Sequence, residues 1–123
     1  MGAEIVHTYK DLVVWQRAIE LVVETYSITD SFPKSEQFGL VSQMRRAAVS
    51  IPSNIAEGRR RGTLKDFRHF LLISYGSGAE LETQIEIAKK LPLGASINFI
   101  KVDQLLQETM KMLNTMLRSM AVV

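Results

Sequence analysis

The chain has 123 residues, of which 46% are hydrophobic and 23% are charged, and it contains no cysteine. This length is typical of a single domain, and the composition is too apolar for a disordered chain. The lack of cysteine excludes disulfides, thiolate metal sites and a cysteine nucleophile. Apolar runs fall short of the ~20 residues that span a bilayer. The first residues lack the basic-then-apolar order of a signal peptide, so we expect one cytoplasmic domain over residues 1–123, without a membrane partner.

Proline and glycine divide the sequence into four segments. The main breaks lie near Pro33, Gly62 and Pro92. Within each segment the apolar residues recur with helical periodicity. The spacing predicts helices over about 9–27, 36–61, 64–91 and 98–120. Because short connections favour antiparallel neighbours, we predict an all-α fold, an antiparallel up-down-up-down four-helix bundle.

The first helix has a wide apolar surface. Its main predicted face contains residues spaced three and four apart: Leu12, Trp15, Ile19, Val22 and Tyr26. Val14, Ala18 and Leu21 widen this stripe, so we expect contact with more than one neighbour. Thr8 and Asp11 have the spacing of a capping box at the start of the helix.

The second helix contains a proline in its middle. Pro52 removes one backbone hydrogen bond and pushes against the carbonyl of Ala48, so we expect a kink or a break, and a kink is favoured. The apolar spacing of the segment continues in register on both sides of the proline. It includes Val41, Met44, Ala48, Ile51, Ile55 and Gly58.

Small residues and methionines mark the last two helices. The run from Ser74 to Ala79 includes two glycines, each costing about 1 kcal/mol relative to alanine, so we expect close approach of another helix backbone there. The fourth helix contains four methionines, and we interpret them as adaptable core residues rather than ligands.

Positive charge is concentrated in one part of the chain. The net charge is only +2, yet residues 34–70 contain eight basic and three acidic side chains. Two interpretations remain open. The cations stabilise a helix end, or they bind an anionic partner such as nucleic acid, for which arginine suits phosphate geometry. The candidate nucleic-acid-binding residues are Arg45, Arg46, Arg59, Arg60, Arg61, Lys65 and Arg68.

Catalytic patterns are absent from the sequence. The two histidines, His7 and His69, have no metal-ligand spacing with another ligand. Glu80, Glu82 and Glu86 lie close together, but the Glu-x-x-His pair of di-iron bundles is missing, so solvated or ion-paired glutamates are the favoured interpretation. There is also no glycine-rich phosphate loop. We therefore predict no catalytic residue, no metal, no cofactor and no enzymatic activity.

Three motifs resemble a known family. Residues 45–58, which read Arg-Arg-Ala-Ala-Val-Ser-Ile-Pro-Ser-Asn-Ile-Ala-Glu-Gly, are similar to the signature of proteins encoded by intervening sequences in bacterial 23S ribosomal RNA genes, also called S23 ribosomal proteins. Residues 9–16 resemble the first helix of that family. Residues 76–82 resemble the Gly-Ser and Glu-Leu-Glu elements of its third helix. The resemblance covers about residues 9–91.

This resemblance implies a four-helix bundle that assembles into a homopentamer. More distant relatives, the accessory variability proteins of diversity-generating retroelements, bind nucleic acid and a reverse transcriptase through basic surfaces. Two roles are open for the polar and small residues of the motif: support of the proline-containing helix, which we favour, or direct contact with a partner. These residues are Ser50, Pro52, Ser53, Asn54, Glu57 and Gly58.

The sequence therefore supports three hypotheses of different kinds. The leading one is a non-catalytic homo-oligomer that associates with RNA or another nucleic acid through its arginine-rich region. The second is a protein-interaction scaffold whose basic surface binds an acidic protein. The third, a metal-dependent enzyme that uses the glutamates of the third helix, would require a bound metal.

Overall fold

Four α-helices make up most of the protein. The structure, a computed structural model, describes residues 8–120, and no strand occurs among them. Short 3-10 turns precede α1, α2 and α4. The predicted all-α class is confirmed. The helices are α1 (Val13–Thr29), α2 (Leu40–Arg60), α3 (Leu64–Lys90) and α4 (Ile100–Ser119), and the turns are Tyr9–Asp11, Lys34–Glu36 and Pro92–Ser96.

The helices pack in a ring in which each contacts two others. α1 and α3 both pack against α2 and α4, and the α2–α3 contact is the most extensive. Residue numbers rise along one helix as they fall along its neighbour: Ser50 of α2 meets Ser77 of α3, while Gly58 meets Phe70. Neighbouring helices are therefore antiparallel, as the short connections predict.

Two helices begin later than the sequence predicts. Thr8 and Asp11 do form a capping box, but it closes the 3-10 turn Tyr9–Asp11, and α1 starts only after an extended Leu12. In the same way, residues 34–36 form a separate turn and α2 starts after Gly39. Local turn chemistry thus shortens both helices at their N-terminal ends.

The deepest part of the α1 apolar surface is the stripe predicted to widen its main face, whereas Leu12, Trp15 and Val22 of the main face are partly buried against the core. The buried stripe is Val14, Ala18, Leu21, Thr25 and Ile28. Ile19 and Tyr26, on the predicted face, are 36% and 43% exposed. The two stripes are both largely apolar and lie only about 100° apart around the helix, so periodicity alone does not choose between them. Thr25 tolerates burial because its hydroxyl donates to the carbonyl of Leu21 at 2.7 Å.

Helix α2 continues through Pro52 without a break. Pro52 is buried, and side chains bind backbone carbonyls beside it. Ser74 Oγ donates to the carbonyl of Ile51 at 2.9 Å, and Asn54 Nδ2 donates to the carbonyl of Ser50 at 2.8 Å. The helix therefore gains hydrogen bonds from neighbouring side chains close to the residue that lacks an N–H.

Close helix approach explains most of the small residues. A Cβ on Gly58 would lie 2.6 Å from Cβ of Phe70, and a Cβ on Gly78 would collide with Sδ of Met110. Ser74 and Ser77 are buried. On the inner face of α3, Ser74 lies against the backbone of α2 at Ile51, whereas Gly78 makes room for the side chain of Met110. The methionines of α4 pack against the core, as predicted.

Ion pairs join α4 to its neighbours. Arg17 Nε donates to Glu108 Oε1 at 3.1 Å, and Lys89 Nζ donates to Asp103 Oδ2 at 2.7 Å. The hydrogen bond from Lys89 to Asp103 is the main cause of a raised pKa for this lysine. Both pairs are partly exposed, so they orient α4 more than they stabilise it.

Replacing Gly58 by alanine should destabilise the fold. The added methyl overlaps Phe70 at a rigid part of its side chain, so we expect the free energy of unfolding to fall by roughly 1–3 kcal/mol. Urea denaturation followed by circular dichroism measures this change.

The matched control for this variant is Ser53→Ala. Ser53 is exposed on the same helix, so its replacement should alter stability by less than about 0.5 kcal/mol. Equal stability of the two variants would contradict the close α2–α3 approach.

Candidate nucleic-acid interface

Five of the predicted cationic residues gather where α2 joins α3. Arg59 and Arg60 form the last turn of α2, and Arg61 is its C-cap. Gly62 reverses the chain with a φ of +88°, which suits glycine after a helix. The side chain of Thr63 then accepts from the amide of Asp66 and begins α3. We call the following residues the basic turn: Arg59, Arg60, Arg61, Lys65 and Arg68.

Two arginines of the basic turn have partners within the chain. Arg61 Nη2 lies 2.9 Å from Glu57 Oε2, and this hydrogen bond is the first cause of the raised pKa of Arg61. Its guanidinium also lies 5.0 Å from the ring centroid of Phe70. Cζ of Arg60 lies 5.5 Å from the ring centroid of Tyr9. Both guanidinium groups are therefore positioned by aromatic rings while their side chains stay exposed.

The other three cations have free donors. Arg59 and Lys65 are exposed and make no side-chain hydrogen bond or ion pair with residues 8–120. The Nε of Arg68 is buried and has no hydrogen-bond partner within the described part of the chain. The basic turn thus offers positive charge that intrachain contacts leave largely uncompensated.

The structure separates Arg45 and Arg46 from the basic turn. Arg46 and Arg60 are fourteen positions apart, which corresponds to about 21 Å along α2. Arg45 is half-buried and holds α1 to α2: its Nε donates to Thr29 Oγ1 at 2.9 Å and its guanidinium lies 4.4 Å from the ring of Tyr26. Arg46 is exposed. The seven candidates therefore form two groups, and Arg45 has a structural contact that its sequence context did not reveal.

The motif residues also divide into two sets. Ser50 shares a hydrogen bond of 2.8 Å with Ser77 and accepts another of 2.9 Å from Asn54. Pro52 and Gly58 are buried against the bundle. Ser50 and Gly58 lie at the α2–α3 contact, and Asn54 bonds back to Ser50 within α2.

The remaining two motif residues are on the surface. Ser53 is exposed, and Glu57 is exposed and paired with Arg61. Both belong to the outer surface of α2, where a partner has access to them.

The glutamates of α3 do not form a metal centre. All three side chains, Glu80, Glu82 and Glu86, are exposed. Oε1 of Glu86 lies 3.2 Å from Nζ of Lys89. No group of three potential ligands converges anywhere in residues 8–120. His69 packs against Phe70, whereas His7 lies outside the described residues.

Two exposed features were not identified from the sequence. Phe38 is 91% exposed, and Gly76 has open space where a Cβ would be. Phe38 falls inside the predicted helix 36–61, but α2 begins only at Leu40, so the side chain lies before the helix. Gly76 was included among the small residues, but only the structure shows that it faces outward.

The family of the chain follows from a match over most of its length. Residues 10–115 match the family described as 23S rRNA-intervening sequence protein. The chain belongs to this family. The resemblance based on the three motifs is confirmed, and the match extends into α4, which contains none of those motifs.

A solved structure is similar to this intervening sequence protein. It is the crystal structure of a protein with unknown function from the S23 ribosomal protein family of Bacteroides thetaiotaomicron. The TM-score is 0.72 at 22% identity, over 85% of this chain and 98% of that one. At this identity the likeness establishes the shared fold. A search of curated proteins finds no match.

No helix within residues 8–120 combines the length and apolar character needed to cross a membrane.

Arg45 and Arg46 should differ in their effect on stability. Arg45→Met removes a charge-assisted hydrogen bond and a cation–π interaction, so the free energy of unfolding should fall by roughly 1–2 kcal/mol. Arg46→Met removes the same charge from an exposed position and should change it by less than about 0.5 kcal/mol. Urea denaturation of both variants at one protein concentration measures the difference. Equal destabilisation by the two substitutions would refute the structural role of Arg45.

Proposed function

We propose that this protein is a non-catalytic homo-oligomer that binds RNA or another nucleic acid through the basic turn. One observation carries the proposal. Residues 57–68 bring five basic side chains and only two carboxylates to one end of the bundle. Glu57 is already paired with Arg61. The remaining positive charge is suited to a phosphate backbone.

Helix-end electrostatics account for only part of this charge. Cations near the C-terminus of α2 complement the helix dipole, which applies to Arg59, Arg60 and Arg61. Lys65 lies in the first turn of α3, where the helix dipole favours negative charge instead. Its presence there favours an external anion as the reason for the charge.

Self-association is supported by the outward face of α3. A solvated helix face normally carries charged and polar residues, but apart from Glu80 the middle of this one is mostly apolar or small. Gly76, at its centre, costs about 1 kcal/mol relative to alanine and has no neighbour within 4 Å to require it. Close packing of a second copy would explain both features. The face consists of Leu72, Ile73, Gly76, Ala79, Thr83 and Ile87.

Oligomer formation would strengthen binding to a polyanion. Each copy adds one basic turn, and linked sites that reach the same nucleic acid raise the overall affinity without new contacts. The homopentamer implied by the family resemblance would present five such turns. Binding through phosphates also releases counterions, so affinity should decrease steeply with salt.

Removing the arginines of the basic turn should weaken RNA binding. For the variant Arg59→Gln/Arg60→Gln/Arg61→Gln we expect a lower affinity for a structured RNA and a shallower salt dependence. The slope of log K against log salt should decrease by about 0.9 for each phosphate that is no longer neutralised. Fluorescence anisotropy over a salt series measures both quantities.

The charge-matched control is Lys34→Gln/Lys90→Gln/Lys111→Gln, which removes three exposed cations outside the basic turn. It should keep most of the affinity. Similar weakening in both variants, or no binding by the wild type at low salt, would refute the proposal. Capture of an acidic protein that persists after nuclease treatment would favour the scaffold function instead.

Charging the outward face of α3 should dissociate the oligomer. Leu72 is 44% exposed, so Leu72→Glu should leave the fold intact while desolvation of the new carboxylate opposes association. Size-exclusion chromatography with light scattering should give a multiple of 13.9 kDa for the wild type and the monomer mass for the variant.

Ile100→Glu is the control for this variant, because Ile100 is also exposed and lies on a different helix. It should retain the wild-type mass. A wild type that is monomeric, or a Leu72→Glu variant that keeps the oligomer mass, would contradict the assigned association surface.

A further inference from the structure

A groove of about 600 Å³ opens between the end of α1 and the first half of α2. It lies toward the opposite end of α2 from the basic turn. Its lining is aromatic, aliphatic, polar and basic, and Glu80 lines the adjoining groove that shares Phe38 and Arg46. The residues that define its chemistry are Tyr26, Phe38, Val41, Arg45, Arg46 and Val49.

Phe38 is the most exposed large apolar residue of this groove. Its side chain is 91% accessible, and its ring makes no contact with another ring or a cation among residues 8–120. It directly precedes Gly39, the N-cap of α2. Phe38 therefore presents a flat apolar surface that nothing in the described chain covers.

The two arginines of the groove differ in their contacts. Arg45 is fixed by Thr29 and by the ring of Tyr26. Arg46 is exposed and has no hydrogen-bond or ion-pair partner within residues 8–120. The groove thus combines a fixed positive charge, a free guanidinium and an uncovered aromatic ring.

This combination selects a ligand that is both anionic and flat. A nucleotide has these properties, because its phosphate pairs with arginine while its base stacks on an aromatic ring. A base inside a duplex is already stacked and paired, so only an unpaired nucleotide can present its face to Phe38. An acidic peptide would satisfy the charge without requiring a planar apolar surface.

We infer that the groove binds an unpaired nucleotide, with its base on Phe38 and its phosphate at Arg46. This inference rests on the proposed function and specifies the class of nucleic acid as single-stranded or containing unpaired bases.

The outer surface of α2 connects the groove to the basic turn. Arg46, Ser53 and Arg60 are exposed and recur at seven-residue intervals, so they lie along one side of the helix. The length between Arg46 and Arg60, about 21 Å, corresponds to roughly six nucleotides at a stacked rise of ~3.4 Å. One strand of that length reaches both sites.

The test compares single-stranded and duplex RNA. The probes are a fluorescein-labelled oligouridine of about twelve nucleotides, twice the span between Arg46 and Arg60, and an RNA duplex of the same length. Phe38→Ala should weaken oligouridine binding by roughly 5- to 100-fold, the contribution of one stacked base. Duplex affinity should stay unchanged. Anisotropy titrations at one fixed salt concentration measure both.

Two further variants separate stacking from simple apolar contact. Phe38→Trp keeps a flat ring and should retain oligouridine affinity, whereas Phe38→Leu keeps apolar character and should bind as weakly as Phe38→Ala. Retained affinity in Phe38→Leu would overturn the stacking assignment. If Phe38→Ala changes the oligomer mass but not the RNA affinity, Phe38 is a subunit contact. This result would also overturn the stacking assignment.

Failure of this inference is distinguishable from failure of the proposed function. If the wild type binds both RNAs and Phe38→Ala binds them equally well, the groove assignment is wrong and the basic turn remains supported. If the wild type binds neither RNA at low salt, the proposed function itself is wrong.

Discussion

Gly58 has no side chain where α2 meets Phe67 and Phe70 of α3, so the two helices approach closely there. The other contacts between them depend on that approach. Ser74 reaches the carbonyl of Ile51, and Ser77 reaches Ser50. These hydrogen bonds set the register of α2 against α3 around Pro52. The register fixes the turn at Gly62, which brings the end of α2 and the start of α3, with their cations, to one end of the bundle.

The same helix thus combines packing and the proposed binding surface on different sides. Its inner side contains the buried Pro52 and two residues that contact α3, Ser50 and Gly58. Its outer side contains Arg46 and Arg60, which remain exposed. A rigid inner side holds the outer cations at fixed spacing, which reduces the entropic cost of ordering them against a bound strand. This arrangement links the geometry of the motif to the proposed binding surface.

Helix number and order could be predicted because glycine, proline and apolar spacing act locally. The inner seam of α3, including Ser74 and Gly78, was also predictable from its periodicity. The relative burial within the wide apolar surface of α1 was not, since tertiary packing buries Val14 and Ala18 more deeply than Ile19. Arg45 and Arg46 fall in a different group from the basic turn because of their distance from it along α2. Arg45 and Arg46 adjoin in sequence, but only a contact from α1 distinguishes the first as structural.

Sedimentation velocity with and without total RNA tests the central claim most directly, because it reports subunit number and nucleic-acid association in one experiment. We predict a species several times the 13.9 kDa chain mass that sediments faster when RNA is added at low salt. This shift should disappear at high salt, since phosphate contacts are screened. A monomer whose sedimentation is unaffected by RNA at any salt concentration would contradict both oligomer formation and nucleic-acid binding.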